Sequence, residues 1–238
     1  MEESTNVREP RLEPTILSVA IEILGKEKVI TSDENHKTFN LEPPGSEPTV
    51  RYTEATLGQC ATENLSGNSD WRLTNAAPLS FTEQCEIIGV NSGYQLYFDN
   101  YRWWVELEDS TWKESRPEAG YYLIDFTPRM KDTNWPDQER AICLLGNEFE
   151  RADERVISQA LLTTKRVTGE ILLEGWCHWG QIITQPADNT HPEYHIAVGN
   201  LVGGIYIGHY SYDPWILEYL HTYEDDLMRV CVSRKFEF

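Results

Sequence analysis

Large apolar side chains fall on every second position of Leu17–Ile23, a period of two that predicts a β-strand. The clearest run of this kind lies in the middle of the chain. Cys85–Val90, Tyr94–Phe98, Tyr101–Leu107 and Tyr121–Phe126 are short and rich in aromatic and β-branched residues. Asn91-Ser92-Gly93 and Asp99-Asn100 separate the first three, and these residue types tolerate the positive φ of tight hairpins. The segment 85–126 therefore predicts an antiparallel β-meander. A short strand is also expected at Val50–Tyr52 and another at Ala141–Leu145.

The period then changes. Phe149, Ala152, Val156, Ile157, Ala160 and Leu161 recur at spacings of three and four, which predicts an amphipathic helix with an acidic first turn. Strand patterns return at Arg166–Trp176, Trp179–Thr184, His195–Val198 and Gly203–Ile207. Asp213-Pro214 suits a helix start and predicts a short helix at Trp215–Tyr223. Met228, Val230 and Val232 alternate as a final strand. Pro, Gly, Asn and Ser mark 31–49 and 58–80 as irregular.

These elements predict an α+β fold, predominantly antiparallel β. A central meander precedes a strand-rich C-terminal unit with two helices, an order compatible with a small closed barrel. Residues 1–14 read as a flexible arm, 15–146 as a β-rich region and 147–238 as a helix plus the C-terminal unit, with a weak division near 146.

Charge narrows the choice of partners. The 238 residues include 39 acidic and 20 basic side chains, a formal net charge of −19. The basic residues are scattered, with Lys26/Lys28, Lys165/Arg166 and Arg234/Lys235 the densest pairs. Such a field repels polyanions and favours a partner with a basic surface. No apolar run approaches the roughly 20 residues of a spanning helix, and Met1–Thr5 lacks the blocks of a signal peptide. Five widely spaced cysteines, with no Cys-x-x-Cys pair, fit reduced thiols in a cytoplasmic protein.

Motifs for chemistry are sparse. There is no phosphate-binding glycine loop, and the glycines of Gly199–Gly204 fit a bulge or turn between strands. His191 and His195 have metal-ligand spacing for a helix, but Pro192 implies extended chain, which would hold them roughly 13 Å apart. No cofactor or metal is implied. Glu174, His178, His209 and Asp213 are the weak catalytic candidates, because titratable groups gather there among aromatics. Trp103, Trp104, Trp176 and Trp179 fall on predicted strands, where an exposed ring could contact a partner and a covered one would fill the core.

Three functions follow. The first is a non-enzymatic acidic interaction protein, acting as accessory subunit, adaptor or inhibitor through protein–protein contacts. The second is an enzyme whose site is assembled from dispersed histidines and carboxylates. The third is an aromatic sheet face binding a small ligand or single-stranded nucleic acid, a version the charge opposes.

Overall fold

The structure, a computed structural model, describes residues 13–88, 95–98, 111–131, 133–184, 194–201, 204–211 and 228–238. It is an α+β fold built on one mixed sheet. Helices α1 (Leu17–Leu24), α2 (Ser32–Thr38) and α3 (Glu54–Leu65) alternate with strands β1 (Val29–Ile30) and β2 (Trp71–Ala76). Then come α4 (Phe81–Ile88), β3 (Gln95–Phe98), α5 (Thr111–Glu114), β4 (Gly120–Arg129), α6 (Trp135–Leu145), β5 (Phe149–Arg151) and α7 (Glu154–Thr168). Strands β6 (Cys177–Thr184), β7 (Tyr194–Leu201), β8 (Gly204–Ser211) and β9 (Met228–Arg234) complete it.

The strand order is β1-β2-β4-β9-β6-β7-β8-β3, with β5 also paired to β9. Its two ends are different strands, so the sheet is open and forms no barrel. Pairings β1–β2, β3–β8 and β6–β9 are parallel and the others antiparallel. The expected meander is absent among the described residues: β3 pairs in parallel with β8, and β4 lies between β2 and β9. The expected turns at 91–93 and 99–100 lie outside the described residues.

Both faces of the sheet are covered. Along β4, Tyr121 and Leu123 enter one core while Ile124 and Phe126 enter the other, as the alternation of a strand requires. The first core, that of Ile124 and Phe126, takes α4 and most of α7, through Phe81, Ile88, Val156, Ile157, Ala160 and Leu161. The second takes α1 and α3, through Ala20, Leu24, Leu57 and Cys60.

Several expected strands are helices. Leu17–Ile23 forms α1, because Leu17, Ala20, Ile21 and Leu24 also satisfy the 3.6-residue period, and that stripe packs on the second core. Of Cys85–Val90, the described residues 85–88 fall in α4, whose start carries reciprocal bonds: Ser80 N–H donates to Glu83 (2.8 Å) and Glu83 N–H to Ser80 Oγ (3.2 Å). Ala141–Leu145 is the last part of α6, started by Asn134, whose Oδ1 accepts from Asp137 N–H at 2.9 Å. Arg166–Trp176 is the end of α7 and a turn, stopped at Gly169 in the left-handed region (φ 79°).

The irregular stretches hold structure as well. Within 31–49 lies α2, whose capping box pairs Thr31 N–H with Glu34 Oε2 at 2.8 Å and Glu34 N–H with Thr31 Oγ1 at 3.3 Å. Within 58–80 lie the end of α3 and all of β2. Val50 makes only an isolated bridge to Thr15. The expected helix at 149–161 begins later, at Glu154, after β5. Strands at 95–98, 121–126, 179–184, 195–198, 204–207 and 228–232 agree with the pattern. The strand expected at Tyr101–Leu107, the helix at Trp215–Tyr223 and most of the N-terminal arm lie outside the described residues.

The last residues of the chain clip onto α3. Glu237 accepts from Thr53 N–H (2.6 Å) and from the Thr56 hydroxyl (2.5 Å) at the start of that helix. Phe236 packs against Tyr52 and Tyr122, with the Arg51 guanidinium 3.4 Å from its ring centre.

Candidate functional site

A buried polar centre forms where α6, α7, β5, β6, β7 and β9 converge. Arg151 is its cation. It leaves β5 with its side chain 1% exposed. Its Nε donates to Glu139 Oε1 at 2.6 Å, and its Nη1 to Gln138 Oε1 (2.9 Å) and to the Trp179 carbonyl (2.5 Å). Burial pushes its basicity down, and the hydrogen bond to Glu139 opposes that. Gln181 Nε2 donates to the Arg151 carbonyl, so the strands are tied on both sides of the guanidinium.

Two histidines flank it. His178, one of the four catalytic candidates read from the sequence, is fully buried on β6. Cys231 N–H donates to its Nδ1 at 3.0 Å, and its Nε2 lies 2.9 Å from the Ala152 carbonyl. An imidazole that accepts at Nδ1 must carry its hydrogen on Nε2, so this ring is the neutral Nε2–H tautomer. Burial, reinforced by the charge of Arg151, lowers its pKa to about 3. His195 on β7 is stacked on Trp135 (ring centres 4.1 Å apart) and meets Trp179 edge-on at 6.3 Å. Burial and then Arg151 lower its pKa to about 4. The Trp135 ring also lies 4.8 Å from the Arg151 guanidinium carbon, and its Nε1 donates to the Gly180 carbonyl at 3.0 Å.

Glu154, in the first turn of α7, closes the centre from the other side. It is fully buried and accepts from Gln181 N–H at 3.1 Å. A side chain at residue 180 would meet its carboxyl group, so Gly180 makes room for it. Gly199 has a similar role, and it lies inside β7, paired with both β6 and β8, rather than in the bulge or turn expected between strands. A Cβ there would meet Cys177 Cα and Sγ at 2.5 Å and the Trp176 carbonyl.

The other candidates are dispersed. Glu174 is exposed on the turn before β6, in an isolated bridge with Asn200, whereas His178 is sealed, so these two share no surface. Asp213, Trp103, Trp104 and the side chain of His209 lie outside the described residues. Trp179 is buried (5% exposed) and Trp176 half-buried against the first core. Sequence reasoning missed Arg151, Glu154 and Trp135, whose separation along the chain hides their meeting. Among the described residues, no group of three or more His, Cys, Asp or Glu is placed to hold a metal ion. Burial pushes the Cys60 and Cys85 thiols up to about 12, which keeps them protonated and poor nucleophiles.

Beyond the centre, cations are held in intramolecular pairs. Arg72 is 4% exposed and bridges Asp70 (3.0 and 3.1 Å) to Glu170 (2.6 and 2.7 Å), while Lys28 meets Asp70 at 2.6 Å. Burial would raise the Asp70 carboxyl, but Arg72 and Lys28 outweigh it and hold it below the usual range. Among the described residues, at least eleven lysines and arginines lie within 4 Å of a carboxylate. Carboxylates such as Glu22, Glu27, Glu42, Glu54, Glu86 and Glu174 face outward. A cleft of about 370 Å³ opens near the far end of α7, floored by Val29, Ile30, Thr164 and Val167 and edged by the Lys26–Glu34 pair.

No described helix is long and apolar enough to cross a membrane. No protein-family model, curated protein or solved structure matches the chain, and its function is argued from these residues alone.

Proposed function

We propose that this chain is a non-enzymatic interaction protein that docks, through its acidic surface, on a partner of opposite charge. The observation that carries this reading is the fate of the cations. Among the described residues, at least eleven lysines and arginines are engaged with the chain's own carboxylates, and Arg72, Arg151 and Arg234 are buried. A cation held this way is a weak handle for a phosphate or an acidic peptide. The excess of carboxylates is left to set the outward field, which steers a basic partner and repels polyanions.

The polar centre is consistent with this reading. Its two histidines are neutral near pH 7, and His178 spends both ring nitrogens on main-chain groups. A general base needs a free nitrogen within reach of a substrate, which favours a binding role over the dispersed-site enzyme.

The test is recovery of the tagged full chain from native lysate at about 0.05 M and about 0.5 M salt, where screening differs strongly. A stoichiometric complex with a basic protein, held at low salt and released at high salt, is expected. Recovery of free chain alone, or of a complex indifferent to salt, would overturn the reading.

A further inference from the structure

The sheet narrows at one place. On one side of β9 stand β4, β2 and β1; on the other run β6, β7, β8 and β3. β6 joins β9 through two register pairs, Cys177↔Met228 and His178↔Arg229, whereas β7 and β8 are joined by eight. Immediately beyond those two pairs, β5 takes over the same edge of β9.

His178 stands at the changeover. Ala152 N–H donates to the Cys231 carbonyl at 3.1 Å, which is half of a narrow antiparallel pair. The other half would run from Cys231 N–H to the Ala152 carbonyl. The His178 ring occupies that position instead, accepting from Cys231 and donating to Ala152. One side chain of β6 thus bridges β9 and the segment leaving β5. A proton on Nδ1 would face the Cys231 N–H, donor against donor, and that bond cannot persist.

The surrounding groups do not welcome the added charge. Arg151 faces the ring from β5 and repels it. Glu139, on α6, is committed to Arg151. Glu154, on α7, is engaged by Gln181 N–H. Cys231, on β9, offers its amide, and its thiol is held protonated by burial. On β7, His195 lies against Trp135 and Trp179 and feels Arg151 as well. Arg229 is half-buried on β9, across from His178 in register.

We propose that the β6–β9 seam is an acid-sensitive joint: proton uptake by His178 releases the Cys231 amide and parts β6 from β9, while each half-sheet keeps its own pairing. The joint follows from the sheet geometry and is independent of the docking function.

Hydrogen exchange of the full chain at pH 7 and at about pH 4.5, corrected for intrinsic exchange rates, tests it. With a folded pKa of about 3 against 6.5 in the open state, the opening equilibrium should rise on the order of a hundredfold at the lower pH. Peptides covering 177–181 and 228–232 should lose protection before those covering 71–76 and 120–125. His178→Gln, which does not titrate, should remove most of the change, and His195→Gln should retain it. Simultaneous loss in both sets of wild-type peptides would mean global unfolding and overturn the joint, whether or not the variants fold. Equal acid sensitivity in His178→Gln, or its loss in His195→Gln alone, would also overturn it.

Discussion

At the scale of single residues, the fold depends on histidines kept uncharged. The folded-state pKa values of His178 and His195, about 3 and about 4, lie below the unfolded value of 6.5. Above pH 6.5 both states are neutral and the native state carries no penalty. As pH falls below 6.5, the unfolded chain takes up protons that the native chain refuses, so stability falls toward the folded pKa values. Each histidine should cost roughly 1 kcal/mol per pH unit in that window. Urea midpoints measured between pH 7.5 and about 4 should show this, with a shallower slope in His178→Gln. Asp70 and Glu170 are lowered carboxylates whose contribution begins to be lost only below their ordinary values of 3.8 and 4.5, so the upper part of the histidine window is free of them. The histidine-rich C-terminal third drew attention in the sequence to His178, but nothing there distinguishes a ring that binds main-chain groups from one that binds a substrate. That difference lies in Ala152 and Cys231, far away along the chain.

Elements were legible where one period ruled alone and hidden where two were satisfied together. β9 alternates cleanly and β4 contains a short β-rich run bounded by Gly120 and Pro128, so both were readable, whereas α1 fits both a strand and a helix, and burial against α3 decided between them. The starts of α2 and α4 did leave a local signal, the Thr31–Glu34 and Ser80–Glu83 pairs, which should have outweighed the loop composition of 31–49 and the β-rich run at 85–90. Thr31→Ala and Ser80→Ala should each destabilise the fold by about 1 kcal/mol in chemical denaturation, because each leaves helix N–H groups without an acceptor. Gly199 tests strand pairing in the same way. Gly199→Ala forces a methyl against the backbone of Trp176 and Cys177, which cannot swing aside as a long side chain can. A loss of roughly 1–3 kcal/mol is expected, with broadened resonances along β6 and β7.

For the molecule as a whole, composition bounded the charge, but only the fold decides how the charges are partitioned. The −19 total is a count, whereas the inward commitment of Arg72, Arg151 and Arg234 is a product of folding. Open sheet topology was equally hidden, since β3 with β8 and β6 with β9 pair across long stretches of chain. Replacing Glu22, Glu27, Glu42, Glu54 and Glu86 together with Gln should change stability by less than about 0.5 kcal/mol per site. It should also weaken capture of the basic partner and flatten its salt dependence, both readable by titration at two ionic strengths.

The position of β9 has a kinetic consequence. It is the strand that joins the two half-sheets, yet it follows every other strand in sequence. Neither β4 nor β6 can complete its pairing until residues 228–234 return across the intervening chain and settle between them. Closing such long loops costs entropy before any contact repays it, which places the molecule among slow folders of high contact order. Until β9 arrives, the facing edges of β4 and β6 expose unpaired amides and carbonyls, so a nascent or heat-stressed chain is most vulnerable to edge-to-edge aggregation there.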